Sequence, residues 1–133
     1  MKIKKLSPIV TTEKLDEVRA FYTQHLGFRV CFDYPGGYLG LQSAQDEAIV
    51  ISFMTPCEQG QPYGGHGVTL CLEVDDVDAE HERLSQAGAP IAVPLKDNPW
   101  GDRSFIAIDP VGVSVYVYSP IEMTEEFKQY VKG

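Results

Sequence analysis

The chain lacks any apolar run long enough to cross a bilayer; its longest, such as "AIVISFM", have the length of a single strand. Its start, "MKIKKLSPIV", is basic but carries no apolar segment ahead of a small-residue cleavage site, so a cytoplasmic location and no membrane partner are expected. Positive charge is scarce: 11 Lys and Arg stand against 19 Asp and Glu, a formal charge of −8. That balance argues against nucleic-acid binding through a general electrostatic surface and favours a cationic ligand. Cysteine is also scarce and odd in number. Cys31, Cys57 and Cys71 leave one thiol over in any disulfide scheme and form no Cys-x-x-Cys pair, so reduced thiols are expected. Cys31 and Cys71 fall in strand-like stretches and are expected to be buried and inert. Paired carboxylates, a nucleophile–base pair and a phosphate-cradling loop are missing too. "PYGGHG" is glycine-rich, but it leads into a strand and not a helix.

What is present is an ordinary globular composition, 44% hydrophobic and 23% charged, over 133 residues, enough for one domain or two small modules sharing a core. A strand in "KLSPIVTT" precedes a helix with Thr11 or Thr12 as a possible cap; Leu15, Val18, Phe21, Tyr22 and Leu26 carry its period and Gly27 its stop. Strands "FRVCFDY", "YLGLQS" and "AIVISFM" follow, with turns at "PGG" and "AQDE". After a Gly/Pro-rich linker at 57–66 the pattern restarts. "VTLCLEV" is a strand, "DDVDAEHERLSQAG" a helix capped by Asp75 or Asp76 and closed by Gly88, and "APIAVPL", "RSFIAID" and "VSVYVYS" are three more strands. Leu15 recurs as Val77 and Gly27 as Gly88, an interval of roughly 62 residues, which marks an internal repeat. Each half is β-α-β-β-β and could not close a core alone. The tail after residue 120 is expected to be a short helix, with Ser119 and Glu122 as a capping box and Phe127, Tyr130 and Val131 as its buried stripe.

The last strand of the repeat poses the functional question. In "DPVGVSVYVYSP", Val113, Val115 and Val117 form one face, which is a core face. Ser114, Tyr116 and Tyr118 form the other, too polar for a second core and too aromatic for a plain solvent face.

The paired modules, "VRAFYTQHLGF" at 18–28 and "PWGDRSFIAIDPVG" at 99–112 resemble the vicinal oxygen chelate superfamily, which includes glyoxalase I, extradiol dioxygenases and bleomycin-resistance proteins. Gly112 fits the turn of the second block, while Val111 replaces its usual acidic residue. The resemblance implies an α+β fold in which two tandem βαβββ modules form a curved mixed sheet around a cavity, with helices on the outer face. It implies one domain over 1–120, with modules at about 1–56 and 67–120, and a helical tail at 121–133.

Enzymes of that superfamily hold a divalent metal at four inward positions. Carried over to this chain, these fall on Ser7, Ile51, Thr69 and Tyr116. None is a good ligand: hydroxyls are weak neutral donors, isoleucine has none, and a phenol ionises only near pH 10. His66 is out of phase with Thr69, and His25 and His81 lie on helices, so no metal and no cofactor are expected. The resemblance then points to the bleomycin-resistance branch, with a planar apolar or cationic ligand held by Ser7, Ile51, Phe53, Thr69, Trp100, Arg103, Ser114, Tyr116 and Tyr118. Tyr38 and Tyr63 could close the mouth. The competing expectation is a lyase, isomerase or dioxygenase-like enzyme of the same fold, for which Glu73 and Asp102 are the acidic candidates and Cys71 a remote nucleophile. A homodimer, with modules exchanged between chains or not, is the expected assembly.

Overall fold

A computed structural model describes residues 1–2, 4–56 and 63–132, and places two ten-residue helices where the apolar periodicity predicts them. The chain divides into two compact units, 1–66 and 67–133. The linker positions 57–62, with Cys57, lie outside the described residues.

In the first unit, β1 (Ile9–Thr11), α1 (Leu15–Gln24), β2 (Phe28–Tyr34), β3 (Tyr38–Ser43) and β4 (Val50–Met54) follow in order. The sheet order is β1-β4-β3-β2, with β1 parallel to β4 and the other pairs antiparallel. Helix α1 buries Leu15, Val18, Phe21 and Tyr22, the stripe that a 3.6-residue period sets on one side. Tyr22 meets Phe28 and Phe53, and Leu39, Leu41, Ile51 and Phe53 are buried with it. Gly27 turns the chain at φ +70°, a conformation that costs a residue with a Cβ.

The second unit repeats the plan with β5 (Thr69–Glu73), α2 (Val77–Gln86), β6 (Ile91–Asn98), β7 (Asp102–Ile108) and β8 (Ser114–Pro120). Its order is β5-β8-β7-β6, with β5 parallel to β8. The α+β architecture is thus carried by two four-stranded mixed sheets, each paired within its own βαβββ module. The Asp76 side chain accepts from Ala79 N and caps α2. Val113, Val115 and Val117 are buried with Phe105 and Ala107 on the face that α2 covers through Val77 and Leu84. Burying each of the valine, leucine and phenylalanine side chains contributes about 1.5–3 kcal/mol. The Asp109 carboxylate accepts from Val111 N and Val113 N and closes the turn into β8.

Several expectations are corrected here. The first strand begins only at Ile9, so Ser7 precedes it and is exposed. Helix α1 starts at Leu15 with Lys14 as its N-cap and no side-chain cap; the Thr12 hydroxyl accepts from Lys14 N instead. Strand β6 runs past Leu95 to Asn98, because Lys96, Asp97 and Asn98 pair with Ser104, Arg103 and Asp102. Pro94 is tolerated there because β6 is an edge strand of irregular register. Cys31 and Cys71 are exposed, since both alternate onto sheet faces that the helices do not cover.

The tail also differs. Strand pairing continues to Pro120, so the helix is only α3 (Glu125–Lys128), which starts after Thr124. Ser119 does not begin it: its hydroxyl accepts from Val77 N and donates to Val74 O, securing the entry to α2. Phe127 is half-buried, whereas Tyr130 and Val131 are exposed.

Candidate functional site

The face of the second sheet turned away from α2 is set by strand alternation and register. Thr69, Cys71 and Glu73 on β5 stand beside Ser114, Tyr116 and Tyr118 on β8. Ser104 on β7 pairs with Tyr118, and Lys96 on β6 with Ser104. The face therefore presents hydroxyls and aromatic rings, with Tyr116 and Tyr118 at a centroid separation of 6.0 Å.

At one end of this face the side chains converge on Asp102. Its Oδ1 accepts from Asn98 Nδ2 at 2.8 Å and from the Tyr116 hydroxyl at 2.9 Å. Its Oδ2 lies 2.8 Å from the same hydroxyl and accepts from Trp100 Nε1 at 3.0 Å. The Trp100 N–H is shared, because Tyr116 Oη lies 3.1 Å from it. Asn98 donates also to Ser104 Oγ at 2.8 Å, and Asn98 and Ser104 are both buried. A buried amide, itself bonded to the buried Ser104 hydroxyl, thus holds the carboxylate from one side, while the indole, 44% exposed, and the phenol flank it at the surface. The carboxylate thus accepts from two aromatic side chains as well as from a buried amide.

Electrostatics follow the same division. Burial, and behind it the Asp102 charge, push the Tyr116 phenol above its ordinary value against the lowering effect of Ser104; burial and then Glu73 do the same for Tyr118. Both remain neutral donors at neutral pH. Arg103 belongs to the opposite side. It alternates with Asp102 along β7, and its guanidinium donates to Asp78 on α2 at 2.9 Å and to Asp97 at 2.9 Å. These bonds, Asp78 first, raise the Arg103 pKa, and Arg103 in turn holds the Asp78 carboxyl below its usual range.

The sequence pattern of the Glyoxalase/Bleomycin resistance protein/Dioxygenase superfamily matches residues 5–117. The chain belongs to this superfamily. Among solved structures, the superfamily fold is shared with TnmS3, an antibiotic binding protein from a Streptomyces species, at 25% identity and TM-score 0.70, over 90% of this chain and 98% of that one. A lactoylglutathione lyase from Agrobacterium tumefaciens (19% identity, TM-score 0.69, 89% and 95% covered) and a glyoxalase/bleomycin resistance protein/dioxygenase from Nocardioides (20%, 0.74, 92% and 86%) share the fold as well. A curated relative, an uncharacterised protein of Mycobacterium bovis, is 47% identical over 49 residues, which are 37% of this chain and 32% of that protein. A Mycobacterium tuberculosis protein matches equally over 29% of its length, so the match spans about a third of these relatives.

The divalent metal of superfamily enzymes does not fit the residues at its four positions. Ser7 lies ahead of its strand, Thr69 offers a neutral hydroxyl, and Tyr116 donates its proton to Asp102. Ile51 is 3% exposed and has no donor atom. Among the described residues no group of three or more His, Cys, Asp and Glu could hold a metal ion.

Of the nine expected ligand residues, Thr69, Trp100, Ser114, Tyr116 and Tyr118 are brought onto one face or its rim, with Trp100 bonded to Tyr116 as described. Four are not, Ser7 among them because it precedes β1. Arg103 is committed to Asp78 and Asp97. Ile51 and Phe53 lie in the core beneath α1, with Phe53 against Tyr22, and Ser52 takes the opposite face. Tyr38 packs edge-on to Phe32, and Tyr63 N donates to Thr11 O. Asp102 and Asn98 were missing from the expected ligand set. The signal was parity: positions 98, 102 and 104 share a face once β6 and β7 pair.

Proposed function

We propose that this chain binds a small molecule without the help of a metal and sequesters a planar apolar or cationic compound. The observation that carries the reading is the Trp100–Asp102–Tyr116 cluster, two π surfaces beside one carboxylate on a half-exposed sheet face. The rings would contribute apolar contact and cation–π attraction, and the carboxylate would pair with a protonated amine. That TnmS3 is an antibiotic binding protein supports the class, and the net charge of −8 supports a cationic member of it. We further propose that the protein works as a homodimer, with or without exchanged modules.

Trp100 is the only tryptophan in the chain, so its fluorescence reports on this site alone. Titration with planar aromatics and basic drugs should give saturable quenching for at least one compound, absent in Asp102→Ala. A panel that leaves the emission unchanged, with no affinity by calorimetry, refutes the reading. A second reading, an enzyme of the same superfamily, is favoured by the phenol–carboxylate pair of Tyr116 and Asp102, which could exchange a proton. Conversion of the bound compound, followed by mass spectrometry, would decide for it.

A further inference from the structure

We infer that the C-terminal tail, residues 121–132, is a working part of the candidate site: it clamps the short turn that carries Trp100 and holds the indole against Asp102 and Tyr116. The superfamily match ends at residue 117, so the tail lies beyond the shared pattern.

Trp100 sits between Pro99 and Gly101 in the tight turn joining β6 to β7, where Gly101 N donates to Asn98 O. The carbonyls on both sides of it face the tail. Pro99 O accepts from Thr124 N at 3.0 Å and from the Thr124 hydroxyl at 3.1 Å. Gly101 O accepts from Ile121 N at 2.9 Å. The approach is tight: a Cβ on Gly101, already strained at φ +105°, would stand 3.3 Å from Met123 Cβ and press on the tail. The backbone around Trp100 is therefore bracketed, not free.

The ring is held as well. Phe127 packs against the indole at a centroid distance of 6.1 Å, and Tyr130 packs against Phe127 at 5.9 Å. The N–H edge of the indole is meanwhile fixed by Asp102 and Tyr116. An exposed tryptophan on a surface turn otherwise samples several rotamers, and ordering such a side chain on binding costs affinity. With two edges held, Trp100 is set before any ligand arrives. Phe127 is thus a positioning residue, acting through Trp100.

The consequence for affinity rests on the binding reading above, but the placement of Trp100 does not, and the decisive test uses no ligand. Acrylamide quenching and fluorescence anisotropy of the single tryptophan are measured in the full chain, the Phe127→Ala variant and the conservative Phe127→Tyr variant, each checked for folding by circular dichroism. Phe127→Ala should raise the quenching constant about twofold and lower the anisotropy, and Phe127→Tyr should restore both. Should Phe127→Ala fail to fold, Thr124→Val, at an exposed position, removes the hydroxyl bond to Pro99 and gives the same reading at smaller amplitude. Quenching and anisotropy that match the parent in the folded variants overturn the inference, whatever ligand is later found. A compound that quenches Trp100 in the parent should bind Phe127→Ala about 2- to 10-fold more weakly.

Discussion

The Tyr116 hydroxyl stands 2.8 Å and 2.9 Å from the two oxygens of Asp102, so one phenol on β8 spans a carboxylate on β7. A hydrogen bond to a charged group is the stronger kind, but this one is partly open to water, which would take the place of a lost hydroxyl. Tyr116→Phe should therefore fold and lose about 1 kcal/mol, or roughly 4 °C in Tm for a chain of this size. Thermal unfolding followed by circular dichroism measures it. An unchanged Tm would mean that the bond contributes nothing to the native state.

Titration should mark the two tyrosines of this face. Tyr116 and Tyr118 have pKa values raised above the ordinary 10.0, chiefly by burial. A folded value above the unfolded one gives stability that is complete below pH 10 and lost as pH rises through the folded value. Phenolate absorbance should show late-ionising phenols, one of which disappears in Tyr116→Phe. Asp78 has the opposite sign: Arg103 lowers it from 3.8, so its contribution is complete above that pH and lost as pH falls through the folded value. Carboxyl NMR should place its midpoint below 3.8, and Arg103→Met should return it toward 3.8.

Metal provides an independent check on the binder reading. Dialysis against nickel, zinc, manganese or iron(II), followed by elemental analysis, should leave far less than one ion per chain, because neutral hydroxyls and an aliphatic side chain do not displace water from a divalent ion. Near-stoichiometric metal, removed by substitution of Thr69 or Tyr116, would turn the assignment toward an enzyme.

Large deletions at the cluster should divide affinity from stability. Trp100 is 44% exposed, so Trp100→Ala removes little core and should cost less than the roughly 3–5 kcal/mol of a buried tryptophan. A compound held by the ring should at the same time lose about 1–3 kcal/mol of binding. Calorimetry on the variant beside its melting curve tests both. A large stability loss with unchanged affinity would make the indole a packing residue.

Much of this was legible in the sequence, and what was not has a physical cause. The valine and tyrosine faces of β8 could be read because one is apolar and the other is not, and the helices because their stripes recur every 3.6 residues. The motifs put Trp100 and Tyr116 each at the expected site, but not the hydrogen bond between them, which depends on the turn between β6 and β7. Strand β4 hid its orientation: Ile51 and Phe53 share one face, but Val50 and Met54 offset Ser52 on the other, so the pattern does not mark which face meets the helix. Arg103 and Asp102 are neighbours on opposite faces of β7, and the motif that brought Arg103 to the site does not show which of the two turns to α2. The tail misled because Ser119, Pro120 and Glu122 have the local chemistry of a helix start, while strand pairing with Asp102 and Arg103 keeps the backbone extended.

The exposed thiol of Cys71 offers a last test of where a ligand sits. It is in register with Tyr116 on the neighbouring strand, on the same face, whereas the exposed Cys31 belongs to the first unit. Alkylation by iodoacetamide requires access to the sulfur, so a compound resting on Tyr116 should slow modification of Cys71. Peptide mapping by mass spectrometry follows this cysteine separately from the others. With a compound that quenches Trp100 present at saturation, the Cys71 rate should fall at least about fivefold, the occupancy expected well above Kd. No slowing at Cys71 would place the compound off the Tyr116 face, and the ligand site would then have to be sought elsewhere in the chain.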